Sequence, residues 1–203
     1  MFLKEGNEKM LNPQKGRVAF LVTSNIHKFN EARRILRRYE ISIAMLKKVD
    51  AVEIQHDDIE NVAKASALDA VKKCKLPIVV EDAGLFVEAL KGFPGPYSSY
   101  VYRTISNEGI LKLLENVANR NALFKSAVAY CEPSTDEPVY FTGEVKGHIV
   151  DDKRGNQGFG FDPIFKPLNS SKTFAEMTVE EKNQQSHRAR AFRKFAEWYT
   201  TSF

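Results

Sequence analysis

The sequence predicts an α/β fold, an elongated mixed central sheet flanked by helices, folded as two lobes with a cleft between them. Three observations predict it. Apolar runs and helical spacing alternate as strand, helix, strand, helix, strand over residues 17–82. A Gly/Pro loop over 91–100, KGFPGPYSSY, then interrupts any regular element. Two further strand-like runs, 123–131 and 139–150, flank a Pro/Ser/Asp turn and read as an antiparallel pair.

Taken in order, residues 1–16 read as an N-terminal extension, a mobile segment or short hairpin arm, ahead of a single two-lobed unit over 17–203. Arg17 to Thr23 is an apolar run of strand length. Lys28 to Tyr39 has helical spacing, with Phe29, Ala32, Ile35, Leu36 and Tyr39 on one face and Arg33, Arg34, Arg37 and Arg38 largely on the others. Ile41 to Leu46 reads as a second strand and Ile59 to Lys73 as a second amphipathic helix. The third strand follows Pro77 and ends in Glu81-Asp82. Asn107 to Asn116 reads as a helix with Asn107 as its N-cap and Ile110, Leu111 and Leu114 buried. Gly155 to Gly160 is a glycine loop, and Phe161 to Phe165 a short strand. Ser186 to Tyr199 is the last helix, turning Ala191, Phe192, Phe195, Trp198 and Tyr199 inward.

The composition bounds the function classes. The 203 residues are 43% hydrophobic and 28% charged, the balance of a soluble globular domain, which excludes collagen-like and largely disordered chains. Thirty Lys and Arg against 26 Asp and Glu leave a net charge of +4. Residues 1–50 hold 11 basic and 5 acidic side chains; the rest hold 19 and 21. A nucleic-acid binder shows a stronger, more continuous excess, so the arginines of the first helix read as a solvated face and no stable nucleic-acid partner is expected. Cys74 and Cys131 have no metal-type spacing and form no disulfide framework, which favours a reducing, cytoplasmic setting. No run approaches the roughly 18 apolar residues of a membrane span, and Met1 to Gly16 lacks the apolar core of a signal peptide.

Four segments carry candidate chemistry. Thr23-Ser24-Asn25-Ile26-His27-Lys28 joins a strand to a helix, where unpaired amides and the helix dipole suit an anion. Thr23 and Asn25 add donors and Lys28 a charge; a plain N-cap by Ser24 or Asn25 is the alternative. Glu81 and Asp82 are adjacent on a strand and point to opposite sides, so one can enter a cleft as a Mg²⁺ ligand or general base while the other braces it. Glu53 is a further acidic candidate. His56-Asp57-Asp58 resembles a ligand set but fits better as the cap of the second helix. Ser186 heads a helix whose first turn carries His187, Arg188 and Arg190, with Lys182 just before it. Cations there oppose the dipole, so either an anionic or polar ligand compensates them or they extend into water. Gly158-Phe159-Gly160-Phe161-Asp162-Pro163 sets an aromatic between glycines, a stacking face or a tight turn with a core ring. A phosphate turn, an acidic site, an aromatic platform and basic donors together fit a nucleoside triphosphate with Mg²⁺.

These segments resemble the inosine triphosphate pyrophosphatase family. The resemblance rests on Thr23-x-Asn25-x-x-Lys28, Glu81-Asp82-x-Gly84-Leu85, Gly92-Phe93-Pro94-Gly95-Pro96-Tyr97, Gly158 to Pro163, Phe174-Ala175-Glu176-Met177, and Glu181-Lys182-Asn183 with Ser186-His187-Arg188, in the family's order. It covers about residues 17–200, nearest to archaeal-type members. It departs at Ser24, where many members have Gly, and at Ala83, where many have Ser or Thr. The resemblance implies Mg²⁺-dependent hydrolysis of ITP, dITP and XTP to the monophosphate and pyrophosphate by a homodimer. It implies phosphate contacts from Thr23, Asn25, Lys28 and Lys64, and a metal and water-activating site of Glu53, Asp82 and Glu81. Asp82 would be the general base, assisted by Lys28. Phe159, beside Gly160, would stack on the base, and Asp162, Lys182, Ser186, His187 and Arg188 would line the base and sugar. A septum-formation-type pyrophosphatase and a non-enzymatic nucleotide- or RNA-binding module are the alternatives.

Overall fold

The structure, a computed structural model, describes residues 18–47 and 49–202. The extension 1–16 and Arg17 lie outside the described residues. Among the described residues seven strands form one mixed sheet: β1 (Val18–Val22), β2 (Ser42–Leu46), β3 (Ile78–Val87), β4 (Pro94–Gly95), β5 (Asn121–Cys131), β6 (Val139–Ile149) and β7 (Phe165–Pro167). Their order is β2-β1-β3-β5-β6-β7, with β4 added to β3. The β1–β2 and β1–β3 pairs are parallel; β3–β4, β3–β5, β5–β6 and β6–β7 are antiparallel. The helices are α1 (Ile26–Leu36), α2 (Ile59–Cys74), α3 (Ser98–Thr104), α4 (Ser106–Leu113), α5 (Val179–Gln185) and α6 (His187–Ser202). Among the described residues no helix is long and apolar enough to cross a membrane.

The expected mixed sheet with flanking helices is what forms, and the periodicities explain why. Ala32, Ile35 and Leu36 of α1 join Ala191, Phe192, Phe195 and Tyr199 of α6 over one face of the sheet, against Leu21, Val79 and Val128. Ile59, Ala63, Ala67 and Ala70 of α2 cover the opposite face at Val80, Ala127 and Ala129. The far ends of β3, β5 and β6 pack with α4 and the Phe161–Met177 segment in a separate cluster.

Four elements differ from the expectation. The 91–100 loop is not free of regular structure: β4 lies within it and α3 begins at Ser98, because Pro94 and Gly95 pair with Phe86 and Leu85. β3 does not end at Asp82 but continues to Val87, because β5 pairs with it in unbroken register from Ile78↔Cys131 to Val87↔Ala122. Phe161 to Ile164 form turns, Asp162-Pro163 being turn residues, and β7 begins only at Phe165. Asn107 lies inside α4 rather than capping it; its Nδ2 donates to the Gly160 carbonyl at 3.2 Å and so holds the glycine loop.

The sheet leaves a notch. β1 pairs with β3 only from Ile78 to Val80, and β4 begins opposite Leu85. Between them no described strand occupies that edge of β3 at residues 81–84. The turn from β1 into α1 faces this gap.

Candidate active site

Lys28 enters the notch from the first turn of α1. Its Nζ donates to the Glu81 carbonyl at 3.2 Å and pairs with Glu81 Oε2 at 3.0 Å, so it satisfies the open edge that β1 leaves. Asn25 is the N-cap: its Oδ1 accepts from the amides of His27 and Lys28 at 2.9 and 3.2 Å. Thr23 Oγ1 accepts from the Asn25 amide at 3.1 Å. The capping alternative is thus realised at Asn25, and two amides expected to face an anion are already engaged.

Strand alternation then separates the two carboxylates. Glu81 shares the α1/α6 face with Val79 and pairs opposite Val128; Asp82 shares the α2 face with Val80 and pairs opposite Ala127. Glu81 is buried, and its Oε1 accepts from Ser126 Oγ at 2.7 Å and Arg188 Nε at 3.1 Å. Burial alone would raise its pKa, but Arg188 and Lys28 outweigh that and hold the carboxyl well below the usual range. Among the described residues Asp82 has no such cation in contact. Burial pushes it up to about 6, Lys28 opposes this, and the charges of Glu81 and Glu53 add to it. Glu53 lies in the exposed segment before α2. Lys64 projects from α2 on the Asp82 side of the sheet, but its Nζ rests 4.9 Å from the Tyr140 ring centroid. Asp58 occupies the N-cap position of α2 without a side-chain bond, and its amide donates to His56 Nδ1 at 2.9 Å.

The basic first turn of α6 is resolved inside the protein. Ser186 caps the helix, its Oγ accepting from the Ala189 amide at 3.2 Å. Arg188 does not extend into water. It is buried between Glu81 and Glu31, with Nη1 2.6 Å from Glu31 Oε2. Lys182, also buried, bridges Glu31 at 2.9 Å and Asp162 at 2.6 Å. Burial works against Glu31's ionised form, yet Arg188 and Lys182 hold its pKa below the ordinary value. For Asp162 burial wins over Lys182 and raises it. The compensating anions are therefore the chain's own carboxylates. Glu31 is the member that sequence reasoning missed: only a charged residue inside the apolar stripe of α1 could have signalled it.

His187 differs from its neighbours. It is buried and stacked on Phe124, centroids 4.5 Å and planes 7° apart. Burial, with Arg188 and Lys182 nearby, depresses its pKa well below the ordinary value, so the ring is neutral. Its Nδ1 has no hydrogen-bond partner among the described residues. Gly143, in mid-strand on β6, lets α6 come this close, since a Cβ there would strike the His187 carbonyl. A glycine inside a strand pattern was the available signal.

The glycine loop completes the cluster. Phe159 N–H donates to Asp162 Oδ2 at 2.8 Å. Gly158 has φ +72°, and a side chain there would meet that carboxylate. Phe159 sits over Lys182 and Arg188, 5.0 and 5.2 Å from its centroid. The fold thus joins Lys28, Glu81, Phe159, Gly160, Asp162, Lys182, Ser186, His187 and Arg188 around one buried ion network. Asp82 stands on the other face of β3, with the Glu53 charge near enough to act on it. Among the described residues no three acidic, His or Cys side chains converge as a ready metal cluster.

The family model described as the Ham1 family matches residues 19–198. A dITP/XTP pyrophosphatase of Methanopyrus kandleri is 52% identical over 177 residues, covering 87% of this chain and 93% of that protein. A dITP/XTP pyrophosphatase of Thermococcus kodakarensis is 52% identical over 182 residues, covering 90% and 96%. The structure of the Staphylococcus aureus Ham1 protein superposes with a TM-score of 0.79 at 30% identity, covering 92% of this chain and 100% of that one.

Proposed function

The chain belongs to the Ham1 family, and on that premise we propose that it hydrolyses the non-standard purine nucleoside triphosphates dITP, XTP and ITP to the monophosphate and pyrophosphate. The observation that carries this reading is the 52% identity to dITP/XTP pyrophosphatases across nearly their whole length; the geometry supplies the chemistry. Water adds to the α-phosphorus, the bond to the α–β bridging oxygen breaks, pyrophosphate leaves, and the water's proton passes to Asp82. A carboxyl raised to about 6 is matched to accepting a proton near neutral pH. Lys28, fixed on the edge of β3 beside the turn of Thr23 and Asn25, would bring its ammonium to the phosphates.

Asp82 and Glu53 offer the hard oxygen ligands that suit Mg²⁺, and their mutual repulsion at Asp82 favours a cation there. Mg²⁺ binds through one or two carboxylates and completes its shell with water and substrate phosphates, so two acidic residues suffice. When bound, it would neutralise phosphate charge and make the α-phosphorus more electrophilic. Glu81, which accepts from Ser126 and pairs with Arg188 and Lys28, serves here to hold those two cations rather than to bind metal.

The base is read as stacking on Phe159, with His187, Arg188, Lys182, Ser186 and Asp162 beside it. A neutral imidazole with an unpaired Nδ1 can donate to a 6-oxo group; the amino group of adenine would leave that donor unsatisfied, which is costly in a dry pocket. The unit is read as two lobes around this cleft, in a reducing cytoplasm that suits free Cys74 and Cys131. We place the homodimer contact on the exposed apolar residues Phe93, Tyr97, Tyr100, Tyr102 and Ile105. Pyrophosphate release from ITP, XTP, dITP, GTP, ATP and CTP, with and without Mg²⁺, tests the reading. Metal-dependent preference for the first three is expected; equal or no turnover of all six overturns it.

A further inference from the structure

Phe159 is touched by three groups. Lys182 and Arg188 approach its ring, and the His27 imidazole stacks on it with centroids 5.4 Å and planes 23° apart. A stacked ring needs a centroid separation of about 4.5–7 Å, so a substrate base on Phe159 requires space that a neighbour now fills. The two cations cannot yield. Each is 2% exposed and each holds two carboxylates, Lys182 with Glu31 and Asp162, Arg188 with Glu31 and Glu81. Moving either would strand buried charge. His27 can yield. It is exposed, in the first turn of α1. Its amide is fixed by Asn25 Oδ1, so the side chain can rotate away while the helix stays capped.

We infer that His27 is a positioning residue that caps Phe159 in the substrate-free enzyme and is displaced by the incoming base. The inference rests on Phe159 being the base platform. The cap sets a threshold: a base binds only if it stacks on Phe159 better than an imidazole does. A bicyclic purine covers more of the ring than imidazole, whereas a single-ring pyrimidine gains little. His27 thereby sharpens selection for purines without touching the reacting phosphate, and a triphosphate lacking a base has no cap to displace.

Two substitutions at this position test it in opposite directions. His27→Ala should lower KM for ITP by about three- to tenfold, the worth of one aromatic stack, and His27→Phe should raise it, with kcat following neither change. Inhibition by inorganic tripolyphosphate should not respond to either. The His27 ring proton resonances should shift in Phe159→Ala, and shift again when ITP is added to the wild-type protein without Mg²⁺. If His27→Ala raises KM or leaves it unchanged, or the resonances ignore Phe159→Ala, the cap is wrong. If ITP moves the resonances but no pyrophosphate is released when Mg²⁺ is supplied, hydrolysis fails as the function while the cap stands. If pyrophosphate is released with the imidazole still stacked, the cap fails while hydrolysis stands.

Discussion

Glu81 and Asp82 are one peptide bond apart and live in opposite electrostatic surroundings. On the α1/α6 face, Glu81 meets Arg188, Lys28 and Ser126 and stays ionised far below its ordinary range. On the α2 face, Asp82 is desolvated with little direct compensation and rises to about 6. The same functional group is held ionised on one side and pushed toward its protonated form on the other. The strand's two-residue period produces the split, and the partners that each side meets decide the chemistry.

The comparison breaks most sharply at Asp82. Asp82→Asn keeps the shape and removes the charge, so turnover should fall about 10²–10⁴-fold, the range of a lost general base. Its thermal midpoint at neutral pH without metal should hold or rise, because an uncompensated carboxylate is gone. Steady-state kinetics and thermal melts on one preparation check both; near wild-type turnover would remove Asp82 from the base role. The opposite pattern is expected across the strand. Arg188→Met leaves Glu31 and Glu81 facing one another without their shared cation, a destabilisation of about 3–5 kcal/mol, read by urea denaturation.

Acid should also tell the two sides apart. Glu31 and Glu81 titrate below their unfolded values, and His187 below its own. Their stabilisation is complete above the unfolded pKa values, near 6.5 for His and near 4.5 for Glu, and is lost as pH falls through those regions toward the lower folded values. Asp82 has the reverse sign: its folded pKa lies above the unfolded one, so its contribution is lost as pH rises from about 4 to about 6. Stability measured against pH should climb more steeply from 4 to 6 in Asp82→Asn than in the wild-type chain; an unchanged slope would place Asp82 in water. The smallest effect belongs to Ser126→Ala, which deletes one donor to Glu81 while Arg188 and Lys28 remain. About 1 kcal/mol is expected, visible as a modest drop in thermal midpoint with the pH profile of turnover unaltered.

Much of this was legible because it depends on near neighbours in sequence. The α1, α2 and α6 stripes appear in periodicity, and Ala32, Ile35, Val62, Ala67, Phe192 and Phe195 are buried where spacing places them. Opposite projection of Glu81 and Asp82 follows from the pleat. The Ser186 cap follows from residue type. Illegible features depend on partners elsewhere. Glu81-Asp82 reads as a strand end, yet β5 supplies a full ladder and carries β3 to Val87. Asn107 reads as a cap, yet it holds Gly160. His27 reads as an ordinary first-turn residue, yet its ring lies on Phe159.

By itself, the sequence determined the longer helices and strands, their buried faces and the inventory of charged and aromatic groups, because steric propensity and amphipathic period act over a few residues. Which charge meets which was decided only by the tertiary structure. Arg188 pairs with Glu31 across 157 positions and with Glu81 across 107. Coulombic attraction and desolvation depend on distance and burial in space, not along the chain. The cations that seemed to wait for a ligand at the start of α6 are neutralised by carboxylates from α1 and β3, and Asp82, which no such cation contacts among the described residues, is the carboxylate proposed above as the base.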